Sequence, residues 1–168
     1  MNIARLLDPD LIELSMATQI EPPPEGTVKT PRQLRDDKET ILNELVSILE
    51  RSDEVGNRTK LLTDFINRER KASTATGHGI AFPHIRTYQA KHLVIGVARS
   101  EQGYDFDAPD GEPVRLFFVM AAPSYGDDSL YLKVFKALAE VLRFDYFRER
   151  LLTAGSTHEI IRAFGEME

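Results

Sequence analysis

Two apolar runs in the second half of the chain carry the strongest signal of local structure. Leu93-Val94-Ile95-Gly96-Val97-Ala98 and Leu116-Phe117-Phe118-Val119-Met120-Ala121 are short, rich in β-branched and aromatic residues, and lack the polar alternation of a half-exposed strand. Such runs predict central strands covered on both faces. On either side of them the apolar period lengthens to about 3.6. Ile41, Leu45, Ile48 and Leu49 share one stripe and predict a helix over 37–49; Leu61, Leu62, Phe65 and Ile66 predict a second over 58–70, with Asn57 as its N-cap. After the strands, Leu130, Val134, Ala137, Leu138 and Val141 form the inner face of a helix over 129–142, with Phe135 and Leu142 on its shoulders and Asp127 or Asp128 as its cap. Phe144, Phe147 and Leu151 extend the burial through a short helix. Ser156 and Glu159 fit a capping box that opens a last helix packing Ile160, Ile161 and Phe164 inward.

The other segments are less regular. Residues 3–7 suit a short amphipathic turn, Asp8-Pro9-Asp10 breaks it, and 11–14 suits a short strand. Residues 17–38 contain Pro22-Pro23-Pro24-Glu25-Gly26 and Thr30-Pro31-Arg32 and show little periodicity, so they predict a surface loop, an excursion from the domain. Between Gly103 and Gly111, Tyr104 and Phe106 alternate with Asp105 and Asp107 as in an irregular edge or lid. Helices, then strands, then helices point to a layered α/β domain spanning 1–168 without internal repeats.

Composition narrows the function classes. A net charge of −6 and an isoelectric point near 5.3 argue against general attraction to nucleic acid or anionic lipid. With no cysteine, thiolate chemistry and disulfides are excluded. No apolar run approaches the ~20 residues of a membrane span and the first residues lack a signal-peptide core, so the expected setting is the cytoplasm, without membrane insertion.

The candidate chemistry lies in Thr76-Gly77-His78-Gly79-Ile80-Ala81-Phe82-Pro83-His84-Ile85-Arg86. Neutral imidazole is nucleophilic near pH 7 and can carry a phosphoryl group. His84 is the best placed of the four histidines, because Pro83 stiffens the backbone just before it. Gly77 and Gly79 permit positive φ and could turn backbone N–H groups toward phosphate oxygens as a small anion nest, with His78 helping to orient them. The competing reading makes His84 an ordinary loop histidine and the glycines plain turn residues. A metal site is a further alternative, with His78 and His84 joined by Asp105, Asp107 or Asp110, although no His-Glu-x-x-His set is present. His92 opens a strand, and His158 lies in the first turn of the last helix. A dinucleotide site fits poorly, because the glycines do not form Gly-x-Gly-x-x-Gly between a strand and a helix.

Arg68-Glu69, Ser73-Thr74 and Gly77-His78-Gly79-Ile80-Ala81-Phe82-Pro83-His84 closely resemble the active-site signature of the fructose/mannitol-type enzyme IIA domains of the bacterial phosphoenolpyruvate-dependent phosphotransferase system. The nitrogen-regulatory enzyme IIA proteins are the nearest branch by this resemblance. It covers most of 1–16 and 38–165, with 17–38 resembling a loop insertion. It implies an α/β fold with a single mixed β-sheet of about five strands flanked by helices on both faces. It further implies that His84 accepts a phosphoryl group on Nε2 from an HPr-like carrier, that Nδ1 is held by a fixed acceptor, and that Arg68 clamps phosphate oxygens. No cofactor and no metal are called for.

One departure stands out. The family commonly carries a second histidine in a His-Leu pair after the central strand, and here Ser129-Leu130 stands in its place. Serine can donate one hydrogen bond to a phosphate oxygen but cannot supply positive charge; His78 is the expected partial substitute. The resemblance therefore implies a phosphohistidine carrier that regulates a downstream partner: an enzyme IIB, a transporter or a kinase. The alternatives are a binding module that keeps the fold without transfer, and a sugar-uptake enzyme IIA that passes phosphate to an enzyme IIB.

Overall fold

The computed structural model describes residues 1–167, so Glu168, the last residue of the expected domain, lies outside it. After two short 3-10 turns, Ile3–Leu6 and Pro9–Leu11, the elements are β1 (Ile12–Glu13), α1 (Pro31–Leu49), α2 (Arg58–Lys71), β2 (Ala75–Gly77), β3 (Ile80–Ala81), β4 (His84–Thr87), β5 (Val94–Tyr104), β6 (Val114–Pro123), α3 (Ser129–Val141), α4 (Asp145–Thr153) and α5 (Thr157–Glu166). They form one mixed sheet of six strands flanked by helices on both faces. Among the described residues no helix is long and apolar enough to cross a membrane.

β6 organises the sheet. One of its edges takes β5 antiparallel in a long ladder, with Gly96 opposite Val119 and Ala98 opposite Phe117. Its other edge is shared end to end by two short parallel strands: β3 pairs at Leu116 and Phe117, and β4 pairs at Met120 through Pro123. Proline has no N–H to give a ladder, so the chain along this side of β6 jogs at Phe82-Pro83. β1 lies parallel to β5 at the far edge, and β2 folds back antiparallel on β3.

Along β6, Phe117, Val119 and Ala121 face one side of the sheet, and Leu116, Phe118 and Met120 face the other. That period-two division separates two cores. The first packs Ile41, Leu45, Ile48 and Leu49 of α1 and Leu61 and Phe65 of α2. The second packs Val134 and Leu138 of α3, Phe147 and Leu151 of α4, and Ile160 and Phe164 of α5. α1 approaches β5 closely at Gly96, where an added Cβ would lie 2.9 Å from Val119 Cγ1 and 3.2 Å from Ile48 Cγ2.

Several expectations change. The helix expected over 37–49 begins at Pro31, so 31–38 of the excursion expected at 17–38 is helical. Thr30 caps it, with Gln33 N–H donating to Thr30 Oγ1 at 3.2 Å and Thr30 N–H donating to Gln33 Oε1 at 2.8 Å. The first two turns offer a single apolar helical side chain, Leu34, and no stripe, which hid them from a reading based on an apolar face. The residues before the cap are tied down: the Glu44 carboxylate accepts from the backbone N–H groups of Ala17 and Thr18 at 2.8 and 2.7 Å. Tyr104 and Phe106 form no lid, since both are buried and Phe106 sits edge-on against Phe117 at 5.2 Å. Leu130 is 43% exposed and Phe144 37%, so neither contributes as expected to the inner face. In the last cap, Glu159 N–H donates to Ser156 Oγ, but the Glu159 carboxylate accepts from Gly155 N–H instead of Ser156.

Phe118 is completely buried in the second core and stacks on Phe82 at 5.8 Å. Phe118→Ala is expected to lower the unfolding free energy in urea by about 3–5 kcal/mol, whereas Phe144→Ala loses less than about 1 kcal/mol. Equal losses would contradict the division of the two layers.

Candidate functional site

The jog at Phe82-Pro83 builds the site. Pro83 turns β3 into β4 while its carbonyl accepts from Met120 N–H at 2.9 Å, and Phe82 N–H donates to Thr74 O at 3.0 Å. Both residues are buried, so the peptide between them has a fixed place. The Phe82 carbonyl meets His84 Nδ1 at 2.5 Å. A carbonyl only accepts, so Nδ1 carries the proton and Nε2 keeps its lone pair. The half-buried imidazole packs against the rings of Phe135 at 4.9 Å and Tyr131 at 6.1 Å. Burial lowers its pKa from the ordinary 6.5; the Phe82 carbonyl opposes this, the Arg68 guanidinium adds to the lowering, and Glu69 opposes it. His84 is therefore a neutral, oriented nucleophile at pH 7.

Arg68 reaches the site from the last turn of α2, where its guanidinium donates to Ala72 O at 2.9 Å. The next residue fixes that helix end. Glu69 is 6% exposed, and its carboxylate accepts from Thr74 N–H at 2.9 Å, Thr74 Oγ1 at 2.7 Å and Lys38 Nζ at 3.0 Å. Thr74 in turn holds Phe82. A chain of bonds thus runs from Lys38 through Glu69, Thr74 and Phe82 to the nucleophile.

The glycine turn lies elsewhere. β3 meets β6 at Leu116 and His84 meets it at Met120, four registers away, or about 13 Å at the rise of a strand. Gly77, His78 and Gly79 close the β2–β3 hairpin beyond β3, with φ of 95°, 57° and 76°. His78 N–H donates to Asp110 Oδ2 at 2.8 Å, and Gly79 O accepts from Arg115 and Leu116. These residues form the turn without forming a nest under His84, and His78 is too distant to replace a second histidine. Asp110 is committed to this turn, where the His78 and then the Glu112 N–H groups lower its pKa. No three metal-ligating side chains gather among the described residues. His92 is exposed and meets Glu54 Oε2 at 2.5 Å, and His158 is exposed on α5.

Ser129 opens α3, but its donors are spent. Its N–H and its hydroxyl both donate to the Asp127 carboxylate, each at 2.9 Å, and these bonds lower the Asp127 pKa. In the structure the hydroxyl proton expected to reach a phosphate oxygen is engaged by Asp127 in a local turn. Sequence reasoning missed Tyr131 and Arg86 as neighbours of the site. Arg86 follows His84 by two positions, so strand alternation puts it on the same face. Tyr131 and Phe135 are four apart on α3 and share a face. Glu69 was visible as part of the Arg68-Glu69 signature, but nothing in the sequence told its buried carboxylate from the other charges of that helix end.

The sequence matches the family described as phosphoenolpyruvate-dependent sugar phosphotransferase system, EIIA 2, over residues 25–167. It is 33% identical over 125 residues to the fructose-specific EIIABC component of Bacillus subtilis, covering 74% of this chain and 20% of that protein. It is 32% identical over 130 residues to the fructose-specific EIIA component of Haloferax volcanii, covering 77% of this chain and 84% of that one. The crystal structure of nitrogen regulatory protein IIA-Ntr from Neisseria meningitidis superposes with a TM-score of 0.80 at 26% identity, covering 96% of this chain and 98% of that chain.

Because the folded state favours neutral His84, its stabilising contribution is complete above the unfolded pKa of about 6.5 and is lost as pH falls through the lower folded value. An NMR titration of the ring protons is expected to show a midpoint below 6.5. A midpoint at or above 6.5 would contradict the buried, neutral ring.

Proposed function

The chain belongs to the phosphoenolpyruvate-dependent sugar phosphotransferase system EIIA 2 family, and on that premise we propose that it is a phosphohistidine carrier and regulator whose acceptor is His84. The observation that carries this reading is the Nδ1–H bond to the Phe82 carbonyl, which leaves the Nε2 lone pair free. The donor is a phosphohistidine on an HPr-like protein. In the transfer, the N–P bond of the donor breaks and its electron pair stays with the donor imidazole, while the His84 Nε2 lone pair forms the new N–P bond. No proton has to leave His84 for that step, because Nε2 begins unprotonated. The charge that builds on the ring is met by the Phe82 carbonyl through Nδ1–H.

Arg68 meets the phosphoryl oxygens as they pass between the two rings. A guanidinium suits that task because it stays charged and offers several donors in one plane. Phosphorylation places about −1.5 to −2 charges beside it, which changes the surface that a downstream partner reads. The similarity to nitrogen regulatory protein IIA-Ntr favours a regulatory target for that change. A second reading has its own support: the identities of 33% and 32% are to fructose-specific components, which favours onward transfer to an enzyme IIB domain.

Incubation with phosphoenolpyruvate, the general phosphotransferase enzyme and an HPr-like carrier is expected to add one phosphoryl group to the intact protein, detected by mass. His84→Ala is expected to abolish it, and Arg68→Ala to slow it by about ten- to a hundredfold, the size of one or two lost charged hydrogen bonds. Undiminished labelling of His84→Ala would sink the proposal. Discharge of the labelled protein by a fructose-type IIB would favour the uptake reading over the regulatory one.

A further inference from the structure

We propose that the Tyr131 hydroxyl is the second donor to the phosphoryl group on His84, in the role that the sequence assigns to Ser129. The inference rests on the phosphocarrier reading and adds a catalytic residue to it. Among the described residues two aromatic rings contact the His84 imidazole, those of Tyr131 and Phe135, and of these Tyr131 carries a donor. Its hydroxyl donates to no protein group among the described residues. Every donor on Ser129, by contrast, is committed to Asp127, whose carboxylate would also repel a phosphate.

The surroundings of Tyr131 suit a phosphoryl anion. Arg68 from α2 and Arg86 from β4 both act electrostatically on its hydroxyl, so the oxygen lies within the field of two guanidiniums, and one of them, Arg68, acts on His84 as well. Burial outweighs both arginines and raises the phenol pKa above its usual 10, so the group remains a protonated donor at pH 7. Position is secured from two directions. One turn along α3, Phe135 packs on Phe82 at 5.4 Å and locks the helix face toward the site. At the helix entrance, Arg86 straps the connecting turn, donating to Pro123 O at 3.1 Å and Gly126 O at 3.5 Å and lying 3.6 Å from Asp128 Oδ2. Arg86 is accordingly a positioning residue for Tyr131.

A phenol donor differs from an imidazolium in a useful way. It adds a hydrogen bond to the transferred group without adding a charge, and it does not titrate across neutral pH. The bond is worth most while the phosphoryl group is in transit and its oxygens carry the developing charge.

Tyr131→Phe removes the hydroxyl and keeps the ring, so it tests the donor without emptying the contact with His84. Phosphoramidate is the first probe, because it phosphorylates imidazole without a protein partner; the phosphorylated HPr-like carrier is the second. With each, Tyr131→Phe is expected to slow loading of His84 at least about tenfold while the urea midpoint stays at the wild-type value. The phosphorus NMR signal of the loaded protein is expected to shift when the hydrogen bond is removed. Wild-type loading rates together with an unshifted signal would overturn the proposal. Should the wild-type protein load from phosphoramidate but never from the carrier, the phosphocarrier reading fails, and the phosphoramidate rates still decide the role of Tyr131.

Discussion

The bond between the Phe82 carbonyl and His84 Nδ1 is the constraint on which the site depends. A histidine with two free nitrogens would sample both tautomers and turn about its side-chain bonds. Here one acceptor selects the tautomer and aims the other nitrogen outward. The carbonyl can do so because both neighbouring peptides are anchored, Phe82 N–H by Thr74 O and Pro83 O by Met120 N–H. Thr74 is itself held by the buried Glu69 carboxylate, which Lys38 balances. The reactivity of one imidazole thus draws on α1, α2, the residue just before β2, and β6 together.

That anchorage needs a rigid sheet behind it, and β6 provides one. Its alternating side chains enter two separate cores, so it is clamped by helices from both faces and shifts in neither direction. The edge it offers to β3 and β4 is continuous, while the chain that lies along it is broken by Pro83. The functional turn is therefore a break between two short strands, β3 and β4, supported by an unbroken central strand. Irregular backbone beside a regular partner can hold a reactive group at the surface with little freedom.

The large features of this architecture were legible in the sequence because they rest on local periodicity. The stripes of α1 and α2 and the apolar runs of β5 and β6 name their own faces, and the inward half of α3 does the same through Val134 and Leu138. The first turns of α1 were hidden, since Pro31 through Asp37 bury no apolar stripe, although Thr30 and Gln33 carried the capping signal. The site was legible in part. His84 and Arg68 stood out through their motif, yet Gly77 to Gly79, adjacent in sequence, lie at the other end of β3, because a strand carries its ends apart where a loop would have kept them together. The surroundings of Ser129 were not legible, because its hydroxyl is captured by Asp127, two residues earlier, in a local turn that competes with any ligand. Tyr131 was overlooked because periodicity gives the face of a helix but not the side chain across the sheet that it meets.

The central claim concerns which ring nitrogen reacts. Nitrogen NMR of histidine-labelled protein, with long-range proton correlations recorded before and after phosphorylation, reads it directly. The account predicts a neutral His84 with its proton on Nδ1 in the free protein and the phosphoryl group on Nε2 afterwards. A proton on Nε2 in the free protein, or phosphorylation at Nδ1 or at another histidine, would contradict it.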